Sequence, residues 1–346
     1  MEVNPQFWND KKVVITGHTG FKGAWLSLIL KELNSKIYGY SLSPIKQSIF
    51  DLCNIESIYD SSNYFDLNIE ENYRKFENSL FEIEPDIVIH FAAQSLVIDS
   101  YKNPRNTIDT NLNLSFNLLN SVNKTDSIKN LLITTTDKVY KYSDRNNTEN
   151  SELGGEDFYS ASKASLELIV NAFIKSQKRD NLNIATTRSG NVLGGGDKNN
   201  NRLVPDILRS IENEKNIKLR NPDSVRPWQH VIDPLRGYLL LIQYLQSNNI
   251  SGSWNFSPDS NNEKTVMEIT KLLLSEFPNY SKDIIVESSP YKESDILRID
   301  SEKALNDFSW KCKINTEEAI NLISEWEKNK NNNIYEISKK QIEKYI

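Results

Sequence analysis

Short apolar runs alternate along this chain with longer stretches in which apolar side chains recur every three or four residues. Lys12–Thr16 reads Lys-Val-Val-Ile-Thr, the β-branched, uninterrupted pattern of a strand buried on both faces. Directly after it, Phe21, Trp25, Leu26, Ile29, Leu30 and Leu33 keep helical spacing. The same patterns predict strands at Ile37–Ser41, near Tyr64–Asp66, and at Ile87–Phe91, Leu131–Thr135 and Ile184–Arg188. Helices are predicted at Phe21–Leu33, Lys102–Val122 and Tyr159–Lys178. Strands that alternate with helices imply an α/β fold with a doubly wound parallel sheet. Ligands in such a sheet bind beyond the C-terminal ends of the strands.

After Arg188 the rhythm changes. Gly190–Asp197 reads as a flexible loop and is followed by asparagines to Asn201. A helix near Val204–Glu214 and a strand at Ile217–Leu219 follow, then further helices to about Lys328. This pattern divides the chain into a first domain over residues 1–188 and a smaller C-terminal α/β substrate domain, mainly over 189–330. The helix near Pro234–Leu245 and the strand Trp254–Phe256 are expected to return to the first domain, through segments near 230–256. Residues 331–346 are left as a tail. No internal repeat is present.

Two motifs carry chemistry. Thr16-Gly17-His18-Thr19-Gly20-Phe21-Lys22-Gly23 joins the first strand to the first long helix. Glycines there permit a tight turn, let backbone N–H groups approach a pyrophosphate, and let helix pack on strand. The helix N-terminus then turns its partial positive charge toward the phosphates. This is the mark of a Rossmann-type dinucleotide site, with Gly17, Thr19, Gly20, Phe21, Lys22 and Gly23 on the cofactor. The second strand ends in Ser41, where an acid would hold a ribose 2′-hydroxyl and an arginine a 2′-phosphate. That position alone leaves NAD and NADP open. Asp66, with Leu67 beside it, is placed near the adenine, and Ala92-Ala93-Gln94 ends another strand on the same edge.

The second motif is Tyr159-Ser160-Ala161-Ser162-Lys163, which sets a phenol and an ammonium on one face of a helix. A tyrosine with a pKa near 10 is a poor base at neutral pH, but a nearby cation favours the phenolate. Such a pair takes a hydroxyl proton while hydride leaves the same carbon. Together the two motifs predict a nicotinamide-dependent enzyme.

Composition narrows the classes. The 346 residues carry a net charge of −6, so no basic surface suited to nucleic acid is expected. Cys53 and Cys312 are too far apart in sequence to suggest a framework, and His18, His90 and His230 show no ligand spacing, so no metal is expected. No signal-peptide pattern or membrane-length apolar run is seen, which predicts a cytoplasmic protein that does not engage a membrane.

These motifs resemble the extended short-chain dehydrogenase/reductase family over nearly the whole chain. The likeness sharpens toward the nucleotide-sugar 4,6-dehydratases, and toward their CDP-glucose branch. The segments that carry it are Trp8, Thr16–Leu28, Tyr38–Leu42, His90–Gln94, Arg188–Asp197, Arg202–Arg209, Arg220-Asn221-Pro222 and Arg226-Pro227-Trp228-Gln229-His230-Val231. In sister enzymes an Asp-Glu pair stands where this chain has Asp137-Lys138, and the CDP-glucose branch is similar to this chain in having Asp-Lys. The resemblance implies NAD as cofactor and a nucleotide sugar, CDP-glucose first, as substrate. It implies that Tyr159 takes the sugar 4-hydroxyl proton, Thr136 hydrogen-bonds the 4-oxygen, and Asp137 protonates the departing 6-hydroxyl. Lys138, if neutral, would take the C5 proton; if charged, it would brace the enolate. Lys163 completes the catalytic set. Asn191, Arg202, Arg220, Arg226 and Asn255 are placed on the substrate, Arg220 and Arg226 suited to its diphosphate and Asn191 near the phosphates. A homodimer formed through the helices at about Lys102–Val122 and Tyr159–Lys178 is implied as well. A 4-epimerase on the same fold and a non-enzymatic NAD-binding protein are the competing readings; the first needs no elimination pair, and the second needs no Tyr159 or Lys163. The loop after Gly194-Gly195-Gly196-Asp197 and the segment 141–156 lack tryptophans usual in the family.

Overall fold

The computed structural model describes residues 1–143, 146–259, 263–287 and 298–346. The strands are β1 (Lys12–Thr16), β2 (Lys36–Ser41), β3 (Ser61–Tyr64), β4 (Ile87–His90), β5 (Asn130–Thr134), β6 (Asn183–Ser189), β7 (Asn191–Leu193), β8 (Ile217–Leu219), β9 (Val225–His230), β10 (Gly252–Phe256), β11 (Glu263–Thr265) and β12 (Ile284–Val286). A seven-stranded sheet runs β10-β6-β5-β4-β1-β2-β3, parallel throughout. Chain order reverses between β1 and β4, which makes a crevice there. Val13 and Ile15 of β1 pack into one core with Trp25, Leu26 and Ile29, while Val14 faces a second core with Phe76, Leu80 and Leu118. A parallel strand covered on both faces needs this uninterrupted apolar run.

The chain leaves the large sheet at Gly190, between β6 and β7. Beyond it lie a three-stranded sheet, β11-β9-β7, and the pair β12-β8. With the helices Leu203–Glu212 and Val266–Ser275 they enclose a third core of Leu193, Val204, Ile207, Ile217, Leu219, Trp228, Ile269 and Leu273. The helix Thr316–Lys328 serves both sides: Ile320 and Ile323 enter this core, and Ala319, Leu322 and Trp326 enter the first.

The helix Ile232–Asn248 and β10 lie on the large sheet, as do Phe308 and Trp310. The segment 331–346 is not a loose tail: it forms the helix Ile334–Tyr345, whose Ile334, Ile342 and Tyr345 join the first core. The helix expected over 102–122 is broken. Asn103 leaves helical geometry (φ −139°), Pro104 starts a new turn, and Asp109–Asn113 is a π-helix before Leu114–Lys124. Proline lacks an N–H and disfavours helical geometry in the residue before it, which accounts for the break. The third strand lies slightly upstream of expectation and leaves Phe65 and Asp66 just beyond its end.

Among the described residues no helix is long and apolar enough to cross a membrane. No group of three or more His, Cys, Asp or Glu among them is placed to hold a metal.

Candidate functional site

A cleft of about 1160 Å³ opens at the C-terminal ends of β1, β4 and β5 and continues under β7, β9 and the Leu203–Glu212 helix. Its size suits more than one small molecule. One end is made of main chain. Gly17 has φ +74°, and a Cβ there would meet Ala92 N at 2.7 Å; one on Gly23 would meet Gly17 O at 2.4 Å. The turn therefore lies against the switch point with no room for side chains. Gly20 caps the helix Phe21–Glu32 without a side-chain bond, and no acid stands in its first turn. Its free N–H groups and dipole face the cleft, as a pyrophosphate requires. These residues fit a nicotinamide dinucleotide.

The remaining cofactor candidates gather here. Thr19 Oγ1 lies 2.8 Å from Ser41 Oγ and donates to Leu42 O at 2.9 Å, tying the turn to β2. Asp66 lines the cleft, but its Oδ1 already accepts from Asn68 N at 2.9 Å, and Leu67 is buried beside it. Ala92 and Ala93 line the wall. Gln94 is held by Asn111, which accepts from Gln94 N at 2.8 Å and donates to Gln94 O at 3.0 Å and to Ser162 Oγ at 3.0 Å. Asn111 sits in the π-helix, which no sequence period reveals. Phe21 packs against Gly194, and Lys22 Nζ reaches across to Ser189 Oγ at 2.9 Å.

The other end is made of side chains. Thr136 caps a single turn, Asp137–Val139, that follows β5. Its hydroxyl donates to Asp137 Oδ1 at 3.0 Å. Tyr159, in the first turn of the Phe158–Ser176 helix, is buried. Burial raises its pKa; Thr136 and Arg202 pull it down, and Asp137 and Asp157 push it up. Lys163, one turn further along the helix, lines the same cleft. Its Nζ donates to Thr134 O at 3.0 Å, and burial followed by the charge of Lys22 brings the ammonium down to about 8 against the pull of Glu167. Asp137 is 4% exposed, and a side chain at Gly190 would meet its Oδ2 at 2.9 Å. Lys138 is half-buried on the cleft wall.

The model for the family described as GDP-mannose 4,6 dehydratase matches residues 14–323. The chain belongs to that family. It is 36% identical to the CDP-glucose 4,6-dehydratase of Salmonella typhimurium, over 94% of this chain and 93% of that one. It is 27% identical to the dTDP-D-glucose 4,6-dehydratase of Dictyostelium discoideum, over 69% of this chain and 57% of that protein. Among solved structures, the dTDP-glucose 4,6-dehydratase of Bacillus anthracis in complex with NAD superposes with a TM-score of 0.76 at 24% identity, over 93% of this chain and 98% of that one. A UDP-glucose-4-epimerase of Stenotrophomonas maltophila with bound NAD superposes at 0.77 and 19% identity, over 92% and 98%. At those identities the structures establish the fold: a Rossmann-like sheet with a second, smaller unit.

The substrate candidates divide. Asn191, Arg202, Arg220 and Arg226 all line the cleft. Arg202 Nη2 donates to Ser95 O at 3.3 Å, and Arg226 Nη1 to Val225 O at 2.8 Å. Asn255 does not line it. It is fully buried on β10, where it accepts from the Tyr140 hydroxyl at 2.7 Å and donates to Asn147 O at 3.1 Å. Gly194–Gly196, expected as a flexible loop, is packed. Side chains there would strike Phe21, Trp326 and Ile49, and Gly195 O accepts from Trp25 Nε1 at 3.1 Å. The glycines serve close approach between the two units. The three histidines are structural: His90 links Thr16 (2.6 Å) to Ser115 (3.0 Å), and His18 lies 2.8 Å from Ser62 Oγ over Gly39.

Proposed function

We propose that this chain is a nucleotide-sugar 4,6-dehydratase that converts CDP-glucose to CDP-4-keto-6-deoxyglucose and uses NAD. The observation that carries this is that Tyr159 lines the same cleft as the turn bearing Thr136, Asp137 and Lys138, with the Thr136 hydroxyl bonded to Asp137 Oδ1 at 3.0 Å. On this reading an oxidation centre is continuous with an acid–base pair. When bound, NAD supplies the acceptor that takes hydride from C4 and returns it to C6, together with a positive charge.

The chain's own groups do the rest. Thr136 orients the 4-oxygen, and Tyr159 takes its proton. In the protein alone Tyr159 is held above the usual tyrosine range by burial, so it becomes a base only when a cation joins the site. Lys163, pinned to Thr134 O, fixes the helix face that presents Tyr159. Once C4 is a ketone its C5 proton is acidic; Lys138 removes it, and Asp137 protonates the departing 6-hydroxyl. Asp137 is buried, and its carboxylate lies so close to Gly190 that a side chain there would meet Oδ2 at 2.9 Å. Arg220, Arg226 and Asn191 line the diphosphate end, where arginine offers bidentate, charge-assisted bonds. Arg202 lines the same cleft, and its charge lowers the Tyr159 pKa.

The protein is further read as a cytoplasmic homodimer. Tyr101, Phe116, Phe158 and Leu168 are exposed on the helices Val97–Lys102, Leu114–Lys124 and Phe158–Ser176, the apolar surface such a dimer needs.

The test is incubation of the purified protein and NAD with CDP-, UDP-, dTDP- and GDP-hexoses, with products identified by mass spectrometry. Loss of one water from CDP-glucose is expected. A product of unchanged mass with inverted C4 would make the enzyme an epimerase.

A further inference from the structure

The segment that carries Thr136, Asp137 and Lys138 is tethered at both ends to one buried ion pair. At its start, Thr135 Oγ1 donates to Glu167 Oε1 at 2.5 Å. At its end, Arg188 Nη1 donates to the Tyr140 hydroxyl at 2.6 Å, with the guanidinium 5.0 Å from the ring centre. Arg188 Nη2 closes the loop on Glu167 Oε2 at 2.7 Å, with the two side chains 4% and 1% exposed. Three further bonds fix the pair. Thr186 Oγ1 and Ser253 Oγ donate to Glu167 Oε2 at 2.7 and 3.2 Å, and Arg188 Nη1 also reaches Glu149 O at 3.3 Å. Tyr140 passes the network on to Asn255.

Glu167 follows Lys163 by one helical turn, so the Phe158–Ser176 helix grips β5 twice: Lys163 at Thr134 O, Glu167 at the Thr135 hydroxyl. Neither Glu167, Arg188 nor Tyr140 lines the cleft. Burial pushes the Glu167 carboxyl up, but Arg188 and the threonine hydroxyls outweigh it and hold the group below the usual range, so it is ionised. Ion pairs buried this deeply add little net stability, because desolvation consumes the attraction. A pair placed between the two ends of the reacting turn does something an apolar contact cannot: it fixes direction.

We propose that the Glu167–Arg188 pair is the positioning element of the active site, holding the Thr135–Tyr140 segment at both ends so that Thr136 and Asp137 keep their aim on the sugar. This rests on the dehydratase reading above. Removing either charge would leave the other buried alone and risk unfolding, so the test cuts the tethers instead. Thr135→Val and Tyr140→Phe, singly and together, leave the ion pair in place. In the full-length protein without ligand, amide hydrogen exchange over residues 136–140 is expected to quicken in both variants. In turnover of CDP-glucose, kcat is expected to fall about 10- to 100-fold with KM little changed, because a shift on the order of 1 Å in a reacting group costs about that much. Thr135→Ser, which keeps the hydroxyl, is expected to restore both readings. Unchanged exchange overturns the proposal whatever the substrate proves to be. So does unchanged kcat in variants of an enzyme that does dehydrate CDP-glucose, even if their melting temperature falls. Failure of the unchanged enzyme to dehydrate CDP-glucose sinks the functional reading instead, and the exchange measurement still decides the positioning role.

Discussion

The two ends of the cleft are built from different material. The glycine-turn end is main chain: Gly17 and Gly23 leave no space for a Cβ, and Gly20 opens a helix whose terminal N–H groups face the cleft. The end proposed for the sugar is side chain: Thr136 bonds Asp137, Lys163 bonds Thr134 O, and the flanking Thr135 and Tyr140 bond Glu167 and Arg188. A backbone site fails when atoms are added to it. A side-chain site fails when atoms are removed, and its chemistry is retuned by single substitutions. One scaffold can thus keep its cofactor while the reaction at the far end changes.

The sharpest challenge to that contrast is Tyr159→Phe. Loss of the hydroxyl is expected to lower turnover by about 10²–10⁴-fold, the usual share of a general base. Affinity for NAD, read by calorimetric titration, is expected to stay close to that of the unchanged protein. A large loss of affinity would show that the two ends are not separate.

Asp137→Asn and Lys138→Met come next, each expected to slow dehydration by roughly 10²-fold or more. They are separable in deuterated water. Substrate recovered from Asp137→Asn is expected to carry deuterium at C5, because the C5 base still works. Substrate recovered from Lys138→Met is expected to carry none. The opposite pattern would exchange the two roles, and exchange in both would make Lys138 a charged brace.

Gly17→Ala tests the other end. With φ +74° and Ala92 N 2.7 Å from the added Cβ, it is expected to cost about 1–3 kcal/mol in strain and to weaken NAD binding in proportion. Normal affinity would mean that the cradle is not built from main chain.

The smallest effect is one of pH. Burial lowers His18 to about 4 and His90 and His230 to about 3. Between those values and 6.5 the unfolded chain binds protons that the folded chain does not, so folding stability rises with pH across the window and is lost on acidification. Melting temperature is expected to fall steadily from pH 6.5 to 4, with a shallower slope in His18→Phe. A flat profile would show that the histidines are solvated.

Much of this was legible beforehand. β1, the glycine turn, the helix Phe21–Glu32 and the Tyr159–Lys163 pair were readable because each is a local pattern, complete within a few residues. The expected return of Trp254–Phe256 is met by β10, which pairs with β6 at the edge of the large sheet. Tyr159 and Lys163, paired by their spacing, line the same cleft, and the ammonium is held there by Thr134 O at the end of β5. Asn255 was placed on the substrate, yet it is fully buried behind β6.

By itself, then, the sequence determined the alternation of strands and helices and the glycine turn of a Rossmann-like fold, since hydrophobic period and glycine spacing act over single elements. The tertiary structure alone decided what surrounds the candidate catalytic groups. Glu167, Arg188, Tyr140 and Asn111 are unremarkable letters until the fold brings them to Thr135, to one another and to Gln94. The Gly194–Gly196 run becomes a packing surface only when Phe21, Trp326 and Ile49 lie against it. The reason is physical: burial and hydrogen bonding depend on neighbours in space, and the neighbours that set the charge and aim of this site are supplied from far along the chain.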